Sequence, residues 1–422
     1  MVRAGPLSLG QLSVWQDIRE LPPERRHEPN NASAWALPPG VGAARVHAAV
    51  TAIVRRHPSL RTRYDLHDAD RPGQLPPDDD VRADLPVLDA AGADAEAAAA
   101  GLATAPFDLG REHGWRARLT TRGGAATHLL FVKHHIAADA WAQELLRREF
   151  LLALTDPGRL GPEPPGPAEL AAEQRTPNGR RRQQAALRHW AQLLDRAPSV
   201  APPADSASDA GTLQATLRSA VARSAAHAVA DRAQVSVASV VLAAYARSVA
   251  RACGTDALLV QLMSANRFSP RWRNLVTSMN QWVPALVEQV RGDDFAALAR
   301  AVHWSSLSAF RHGAHDVTAV AALTAGRADA PRPTCAFNYV AVPDGTVPGA
   351  DAAGRGEPGP VPPPAISWEQ PFTTIGPPCY ARALESGGTL SVRLTATGLG
   401  REQCAELLWD LHGTLLTAAE RC

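Results

Sequence analysis

The sequence predicts an α/β protein built from two lobes. Strand-forming apolar runs alternate with segments of helical periodicity in both halves of the 422-residue chain. Two Pro-rich stretches interrupt this alternation between residues 157 and 209, where neither a helix nor a central strand is expected to continue. We therefore predict an N-terminal lobe at 1–175 and a C-terminal lobe at 176–422.

The first half contains a predicted helix at 43–57, an extended segment at 60–64, a strand at 127–135 and a helix at 140–154. The first of these helices is predicted from apolar residues at helical spacing. The run THLLFVKHH at 127–135 is rich in strand formers. In the helix at 140–154 we expect a buried stripe that begins with Trp141.

The second half repeats the alternation of strands and helices. Gly254 is placed to end one of its helices as a C-cap. A Pro/Gly-rich insertion at 341–364 is expected to form a surface loop. The predicted elements of this half are a strand at 213–217, a helix at 237–252, a strand at 257–263, a strand at 389–394 and a final helix at 401–419.

Charge and composition exclude several classes of protein. The 43 basic and 42 acidic residues leave a net charge of +1, so nothing indicates a nucleic-acid partner. No two of the five cysteines have CxxC spacing, which argues against a zinc site or a disulfide framework. No apolar run is long enough to span a membrane, and the N-terminus does not resemble a signal peptide. We expect a cytoplasmic protein with reduced thiols and no membrane association.

The most informative segment for function is HHIAAD at 134–139, at the predicted junction of a strand and a helix. Neighbouring side chains on a strand point to opposite faces, so His134 and His135 are not expected to bind one metal. A neutral imidazole suits proton transfer at cellular pH. From spacing alone, His135 is equally well a buried structural histidine, and Asp139 is more simply a helix N-cap.

The HHxxxD pattern resembles the condensation domains of nonribosomal peptide synthetases, and other segments agree with that family in the same order. SLGQLSVW at 8–15 is similar to the family pattern SxAQxRLW, and RHPSLRTRY at 56–64 is close to RHExLRTxF. LRHWAQLLDRAP at 187–198, Asn266-Arg267 and FNY at 337–339 also match. The resemblance covers nearly the whole chain.

The resemblance implies two lobes like chloramphenicol acetyltransferase that form a V with a central tunnel. It implies that His135 is catalytic, that His134 and Asp139 support the site, and that Asp139 pairs with an arginine, for which Arg267 is the candidate. It also implies that carrier proteins deliver the substrates on phosphopantetheine arms. No cofactor or metal is expected to bind to the chain itself.

Several positions depart from the family pattern. Ala140 stands where the family has Gly, and in the segment TSMNQ at 277–281 the Gly of GxFxN is replaced while Gln281 takes the place of the Asn. The family segment HQDxPF corresponds to AHDVTA at 314–319, which keeps only part of the pattern. These departures suggest a divergent member with an unusual substrate, or one that has lost part of the activity. The residues expected to line the substrate tunnel are Ala140, Trp141, Gln281, Trp282 and Asn338.

The expected reaction joins a carrier-bound acyl or peptidyl group to an amine, or to a hydroxyl, with His135 handling the proton of the nucleophile. The sequence has no adenylation signature and no GGxS-type carrier motif, so carriers are expected to act in trans. A free small-molecule amine or alcohol is a possible acceptor. The alternatives are an acyltransferase that uses coenzyme A and a condensation-like domain that only recruits partner enzymes. An epimerase is less favoured, because no extra catalytic Glu motif is present.

Overall fold

The structure is a computed structural model that describes residues 4–79, 81, 84–89, 94–203, 211–327, 329–341, 362–371 and 377–421. Most of the insertion predicted at 341–364 lies outside these residues. The described residues form helices and three β-sheets, so the prediction of an α/β protein is confirmed.

The chain divides into two compact units. The first comprises Met1–Gln184, Ala265–Gln281 and Ala314–Val317, and the second comprises Ala185–Ser264, Trp282–Gly313 and Thr318–Cys422. The first change of unit lies within the expected 157–209 region, but the single boundary predicted at 175/176 differs from this division. The difference arises because two later segments pack with the first unit; one of them carries Arg267, whose guanidinium is bonded to Asp139.

A four-stranded sheet forms the centre of the first unit. Its strand order is β2-β7-β6-β5; only the edge pair β5 and β6 is parallel. Trp35 stacks on Phe131 at a centroid distance of 4.7 Å and also contacts Phe150, which joins the sheet to helix α4 (Ala140–Thr155). The strands of this unit are β1 (Gly5–Pro6), β2 (Asn30–Ala36), β3 (Tyr64–Asp65), β4 (Gly73–Gln74), β5 (Val87–Asp89), β6 (Trp115–Arg122) and β7 (Ala125–His134).

The helices of the first unit pack on this sheet and beside it. Helix α2 buries the apolar face predicted from its periodicity and packs on α4. The last helix, α6, continues into the second unit. These helices are α1 (Leu9–Ile18), α2 (Ala43–Arg56), α3 (Ala95–Ala103), α4 (Ala140–Thr155), α5 (Pro167–Gln174) and α6 (Pro177–Arg196).

The second unit is built on a seven-stranded mixed sheet, in the order β10-β9-β11-β13-β14-β8-β12. Strand β11 pairs in parallel with β9 and β13, and the remaining pairs from β13 to β12 are antiparallel. Its strands are β8 (Thr212–Ser219), β9 (Ala257–Ser264), β10 (Gln281–Glu288), β11 (Cys335–Ala341), β12 (Ala365–Glu369), β13 (Cys379–Ser386) and β14 (Thr389–Thr397).

The helices of the second unit bury their apolar faces in one large core. Gly254 ends α8 with a φ of 65°, as expected for a C-cap glycine. Among the described helices, none alone is long and apolar enough to cross a membrane; α7 and α8 meet that test only together, across a bend of 108°. These helices are α7 (Ala220–Ala233), α8 (Val237–Cys253), α9 (Phe295–Arg311), α10 (Val317–Ala325) and α11 (Arg401–Arg421).

Two local predictions were wrong. The segment predicted to be extended at 60–64 begins within a 3-10 turn at Pro58–Arg61, because Pro58 fits the first position of a helical turn. Trp141 is 48% exposed and does not belong to the buried stripe of α4. Its indole N–H donates to the carbonyl of Arg273 at 3.1 Å, a contact that periodicity cannot reveal.

Candidate functional site

The HHIAAD segment connects the central strand of the first unit to a helix. Strand β7 ends at His134, residues 135–138 form a turn, and Asp139 is the N-cap of α4. The Asp139 carboxylate accepts a hydrogen bond from the Ala142 N–H at 2.8 Å. The predicted N-cap is therefore present, and it ends the turn that carries His135.

Asp139 also forms the ion pair that the family resemblance implied. Nη2 of Arg267 lies 2.9 Å from each carboxylate oxygen, and both side chains are almost fully buried. The Met279 N–H donates to Oδ2 of Asp139 at 3.0 Å. Arg267 in turn donates to the carbonyls of Leu275 and Thr277. One buried carboxylate thus joins the start of α4 to the segment 275–279.

The carbonyl groups of the turn are held by side chains that sequence reasoning had not selected. Ser59 donates its hydroxyl to the Ala137 carbonyl at 2.7 Å, and Nζ of Lys133 donates to the Ala138 carbonyl. Lys133 is the single lysine of the chain and is fully buried. Burial lowers its pKa to about 8, against the opposing influence of Asp139. Its uniqueness in the sequence was the signal that could have drawn attention to it.

His134 has a structural environment. Its Nδ1 accepts a hydrogen bond from the Ile136 N–H at 3.1 Å, so the neutral ring carries its proton on Nε2. The ring also meets Phe107 edge to face. Burial lowers the pKa of His134, and the charges of His135 and Lys133 lower it further. These contacts hold His134 as a neutral imidazole at the start of the turn.

His135 is only half-buried, and its backbone N–H donates to the Pro29 carbonyl at 3.0 Å. Burial lowers its pKa, and the charge of Lys133 lowers it further. A hydrogen bond with its own backbone carbonyl and the charge of Asp139 oppose this shift. The net direction is downward, so the imidazole is neutral at neutral pH and is able to accept a proton.

The side chain of Ser278 meets the ring of His135. Its Oγ lies 3.3 Å from Nδ1 of His135 and donates to Oδ1 of Asn280 at 2.9 Å. Neither Ser278 nor Asn280 was selected from the sequence. The replaced Gly of the family segment, at 277–281, was the available signal, since it marked these positions as unusual.

Three of the residues predicted to line a tunnel lie in the first unit. Ala140 is exposed and begins α4 in a helical conformation, so its backbone does not require the glycine of the family pattern. Trp141 is partly exposed, as described above. Gln281 is buried, and its amide nitrogen donates to the His315 carbonyl at 2.8 Å while its oxygen accepts the His315 N–H. The amide of Gln281 is therefore engaged by backbone groups.

The other two, Trp282 and Asn338, lie in the second unit and are half-buried. Trp282 meets Tyr380 edge to face at a centroid distance of 5.3 Å. Asn338 lies on β11, opposite Arg382 of β13. The assignment of all five residues to a substrate tunnel stays a prediction.

Within the described ranges, no group of three or more His, Cys, Asp or Glu residues is placed to hold a metal ion. His134 and His135 differ in their surroundings: Nδ1 of His134 is engaged by a backbone N–H, whereas Nδ1 of His135 meets a serine hydroxyl. The two neighbouring rings therefore differ in the group that their Nδ1 atoms meet.

Comparison with known proteins identifies the family of the chain. The profile of the condensation domain matches residues 18–334. Cyclosporin synthetase simA of Tolypocladium inflatum is 29% identical over 307 residues, which is 68% of this chain and 2% of that protein. AMB antimetabolite synthetase AmbB of Pseudomonas aeruginosa is 34% identical over 187 residues, which is 43% of this chain and 15% of that protein. The chain thus spans only a small part of these relatives.

Solved structures show the same fold. A structure described as the basis for condensation domain-mediated chain release from the enacyloxin polyketide synthase has a TM-score of 0.79 and 24% identity, over 99% of this chain and 83% of that one. The condensation domain of the Monacolin K polyketide synthase MokA has a TM-score of 0.78 and 16% identity, over 99% and 98%. Together with the family profile, these similarities show that the chain belongs to the condensation domain family, which supports a role in condensation or acyl transfer.

Proposed function

We propose that this protein transfers an acyl or peptidyl group from a carrier-bound thioester to an amine or hydroxyl acceptor, with His135 as the general base. The observation that carries the proposal is the neutral, half-buried imidazole of His135, held at the strand–helix turn with its Nδ1 against a serine hydroxyl. A neutral imidazole has one ring nitrogen with a lone pair, and this nitrogen is able to accept a proton from the nucleophile.

The proposed reaction is balanced without an additional reagent. The acceptor nitrogen or oxygen attacks the thioester carbonyl, so a C–N or C–O bond forms and the C–S bond breaks. His135 takes the proton of the nucleophile and returns it to the leaving thiolate. Base assistance contributes about 10²–10⁴-fold to the rate, and holding two tethered reactants together contributes about 7–11 kcal/mol.

Substrate delivery by phosphopantetheine arms of carrier proteins belongs to this proposal. It is supported by the nonribosomal peptide synthetases among the relatives, such as kk1B of Curvularia clavata. A structural neighbour, the starter condensation domain of rhizomide synthetase, was solved with C8-CoA and Leu-SNAC. We expect carriers that lie outside these 422 residues, since the sequence contains no GGxS-type carrier motif.

The test is single-turnover condensation, followed by intact-protein mass spectrometry of an acyl-loaded carrier. An amine acceptor is already partly neutral near pH 7–8, given its reference pKa of ~7.7–8.0. A hydroxyl requires removal of its proton during attack. We therefore expect His135→Ala to reduce the rate near ~10²-fold for an amine and near ~10⁴-fold for a hydroxyl. His128→Ala, on the same strand, is the matched control and should keep the wild-type rate.

Two results would contradict the proposal. Undiminished turnover by correctly folded His135→Ala with every acceptor would remove this histidine from the mechanism. Absence of wild-type turnover with any acceptor, together with tight binding of a carrier or partner enzyme, would favour a recruitment domain. Turnover with an acyl coenzyme A but with no loaded carrier would identify the other acyltransferase alternative.

A further inference from the structure

The backbone around Ser278 is held by the same ion pair that caps α4. Arg267 donates from Nη2 to the Thr277 carbonyl at 3.1 Å, and the Met279 N–H donates to Asp139 at 3.0 Å. The residues on both sides of Ser278 are therefore bonded to one buried carboxylate–guanidinium pair. Ser278 itself is fully buried. Its side chain consequently has a defined position relative to the turn that carries His135.

Helix α1 supports the same residue from another side. A Cβ atom added to Gly10 would lie 2.4 Å from the Ser278 carbonyl oxygen and 2.6 Å from Cα of Met279. Both are backbone atoms, which do not move aside as a flexible side chain does. The absence of a side chain at Gly10 thus lets the Ser278 backbone pack directly against α1.

The hydroxyl of Ser278 has one proton, and the direction of that proton favours one of the two neutral tautomers of His135. The hydroxyl donates to Oδ1 of Asn280, so toward Nδ1 of His135 it is only able to accept. The imidazole must then carry its proton on Nδ1. In that tautomer the lone pair belongs to Nε2, the nitrogen required for a general base.

We propose that Ser278 and Asn280 are positioning residues that fix the Nδ1–H tautomer of His135, so that Nε2 is the proton acceptor. The inference deepens the proposed function and rests on it for its catalytic meaning. The tautomer itself is a property of the resting protein and is measurable without turnover.

The charged surroundings of His135 are compatible with this role. Lys133 on β7 repels a second proton on the ring, and Asp139 at the start of α4 opposes that effect. Arg267 is paired with Asp139, and the adjacent ring of His134 is neutral because burial lowers its pKa. His135 is therefore neutral, and hydrogen bonding decides which of its ring nitrogens carries the proton. The bonding groups are the Ser278 hydroxyl and the backbone carbonyl of His135.

The test is ¹⁵N NMR of histidine-labelled protein, which distinguishes protonated from unprotonated ring nitrogens. Loss of the His135 signals in His135→Gln assigns them. In the wild type we expect a protonated Nδ1 and an unprotonated Nε2. Ser278→Ala removes the acceptor on the serine side of the ring and leaves only the ring's own backbone carbonyl, so it should increase the Nε2–H population. Asn280→Leu should shift the tautomer further, because the freed Ser278 hydroxyl is then able to donate to Nδ1.

Asn280→Asp retains an acceptor for the Ser278 hydroxyl and should restore the wild-type tautomer. Ser59→Ala is the matched control: this buried serine bonds the same turn without contacting the ring of His135, so the tautomer should not change. An Nε2–H tautomer in the wild type, or identical populations in the wild type and in folded Ser278→Ala, would overturn the inference. If Ser278→Ala does not fold, the tautomers of Asn280→Leu and Asn280→Asp test the inference instead. Asn280 is only half-buried, so substitutions there disturb the packing less.

Kinetics provide a second measurement. With a hydroxyl acceptor, Asn280→Leu should lower kcat by about 10–100-fold, because it removes part of the ~10²–10⁴-fold contribution of a general base. The KM for the acyl donor should change little. Asn280→Asp should recover most of this loss. If the wild type turns over no acceptor, the proposed function fails while the NMR result still decides the tautomer. A changed tautomer with unchanged kcat would contradict the positioning role.

Discussion

Arg267 and Asp139 form a buried ion pair in which one guanidinium nitrogen lies 2.9 Å from both carboxylate oxygens. The same carboxylate caps α4 through the Ala142 N–H. The structural-cap interpretation and the ion-pair interpretation of Asp139 are therefore both correct. The energetic consequence is that removal of Asp139 leaves Arg267 buried without its counter-charge.

Asp139→Ala should accordingly lower the free energy of unfolding by roughly 3–5 kcal/mol, the cost of breaking a buried pair. The matched control is Asp294→Ala. Asp294 caps α9 through the Ala297 N–H at 2.9 Å but is exposed, so only the ~0.5–2 kcal/mol of a lost cap is expected. Chemical denaturation of the three proteins measures both values. Equal losses for the two variants would show that the ion pair adds nothing to the cap.

His134 should make the stability of the protein sensitive to acid. Burial lowers its pKa to about 3, whereas in the unfolded chain the value is ~6.5. Below pH 6.5 the unfolded state therefore binds a proton that the folded state does not, and stability falls by up to ~1.4 kcal/mol per pH unit. His134→Asn keeps an acceptor for the Ile136 N–H but removes this titration.

Between pH 7 and 5, the wild type should thus lose about 2 kcal/mol relative to His134→Asn. Urea denaturation at a series of pH values measures the difference. His67→Asn, at an exposed position, is the control and should follow the wild-type curve. Parallel curves for the wild type and His134→Asn would contradict the assignment of this acid sensitivity to His134.

Lys133 should help to keep His135 neutral. Burial is the main cause of the lowered pKa of His135, and the charge of Lys133 is the second. Lys133→Met removes only the second cause, so the pKa of His135 should rise toward ~6.5 by up to about one unit and remain at or below it. An NMR titration of the His135 ring measures the shift. Arg118→Met removes an exposed cation from the neighbouring strand and should leave the titration unchanged.

If the titration of His135 is the same in Lys133→Met and in the wild type, the buried ammonium does not influence the ring. A lower pKa in the variant would have the opposite sign to that expected from removal of a positive charge. Either result would remove Lys133 from the electrostatic account of the site.

Gly10→Ala should destabilise the protein although alanine is the better helix former. The added Cβ would meet backbone atoms of Ser278 and Met279 at less than 3 Å, and such overpacking costs about 1–3 kcal/mol. Gly413→Ala in α11 is the matched control, because an added Cβ there meets nothing within 4 Å. Gly413→Ala should raise the free energy of unfolding by up to ~1 kcal/mol. Thermal unfolding of both variants checks the opposite signs; equal shifts would contradict the close packing of α1 on Ser278.

Local sequence was sufficient for much of the fold. The spacing of apolar residues predicts helix α2 and the final helix, α11, and a run of strand formers predicts strand β7. The 3-10 turn at Pro58–Arg61 was missed because a proline after an extended residue is compatible with either conformation. The family resemblance added Arg267 as the partner of Asp139, which periodicity alone does not indicate.

The sequence by itself determined the α/β class and the placement of HHIAAD at a strand–helix junction, because both depend on patterns within about ten to twenty residues. Only the tertiary structure decided which groups surround His135. Ser278 is 143 residues away along the chain, and no local pattern brings its hydroxyl to the imidazole. Lys133 is adjacent in sequence, but its burial and its bond to the Ala138 carbonyl depend on how the sheet packs. Hydrogen bonding and desolvation of the ring are consequences of packing, and packing is set by contacts between distant segments.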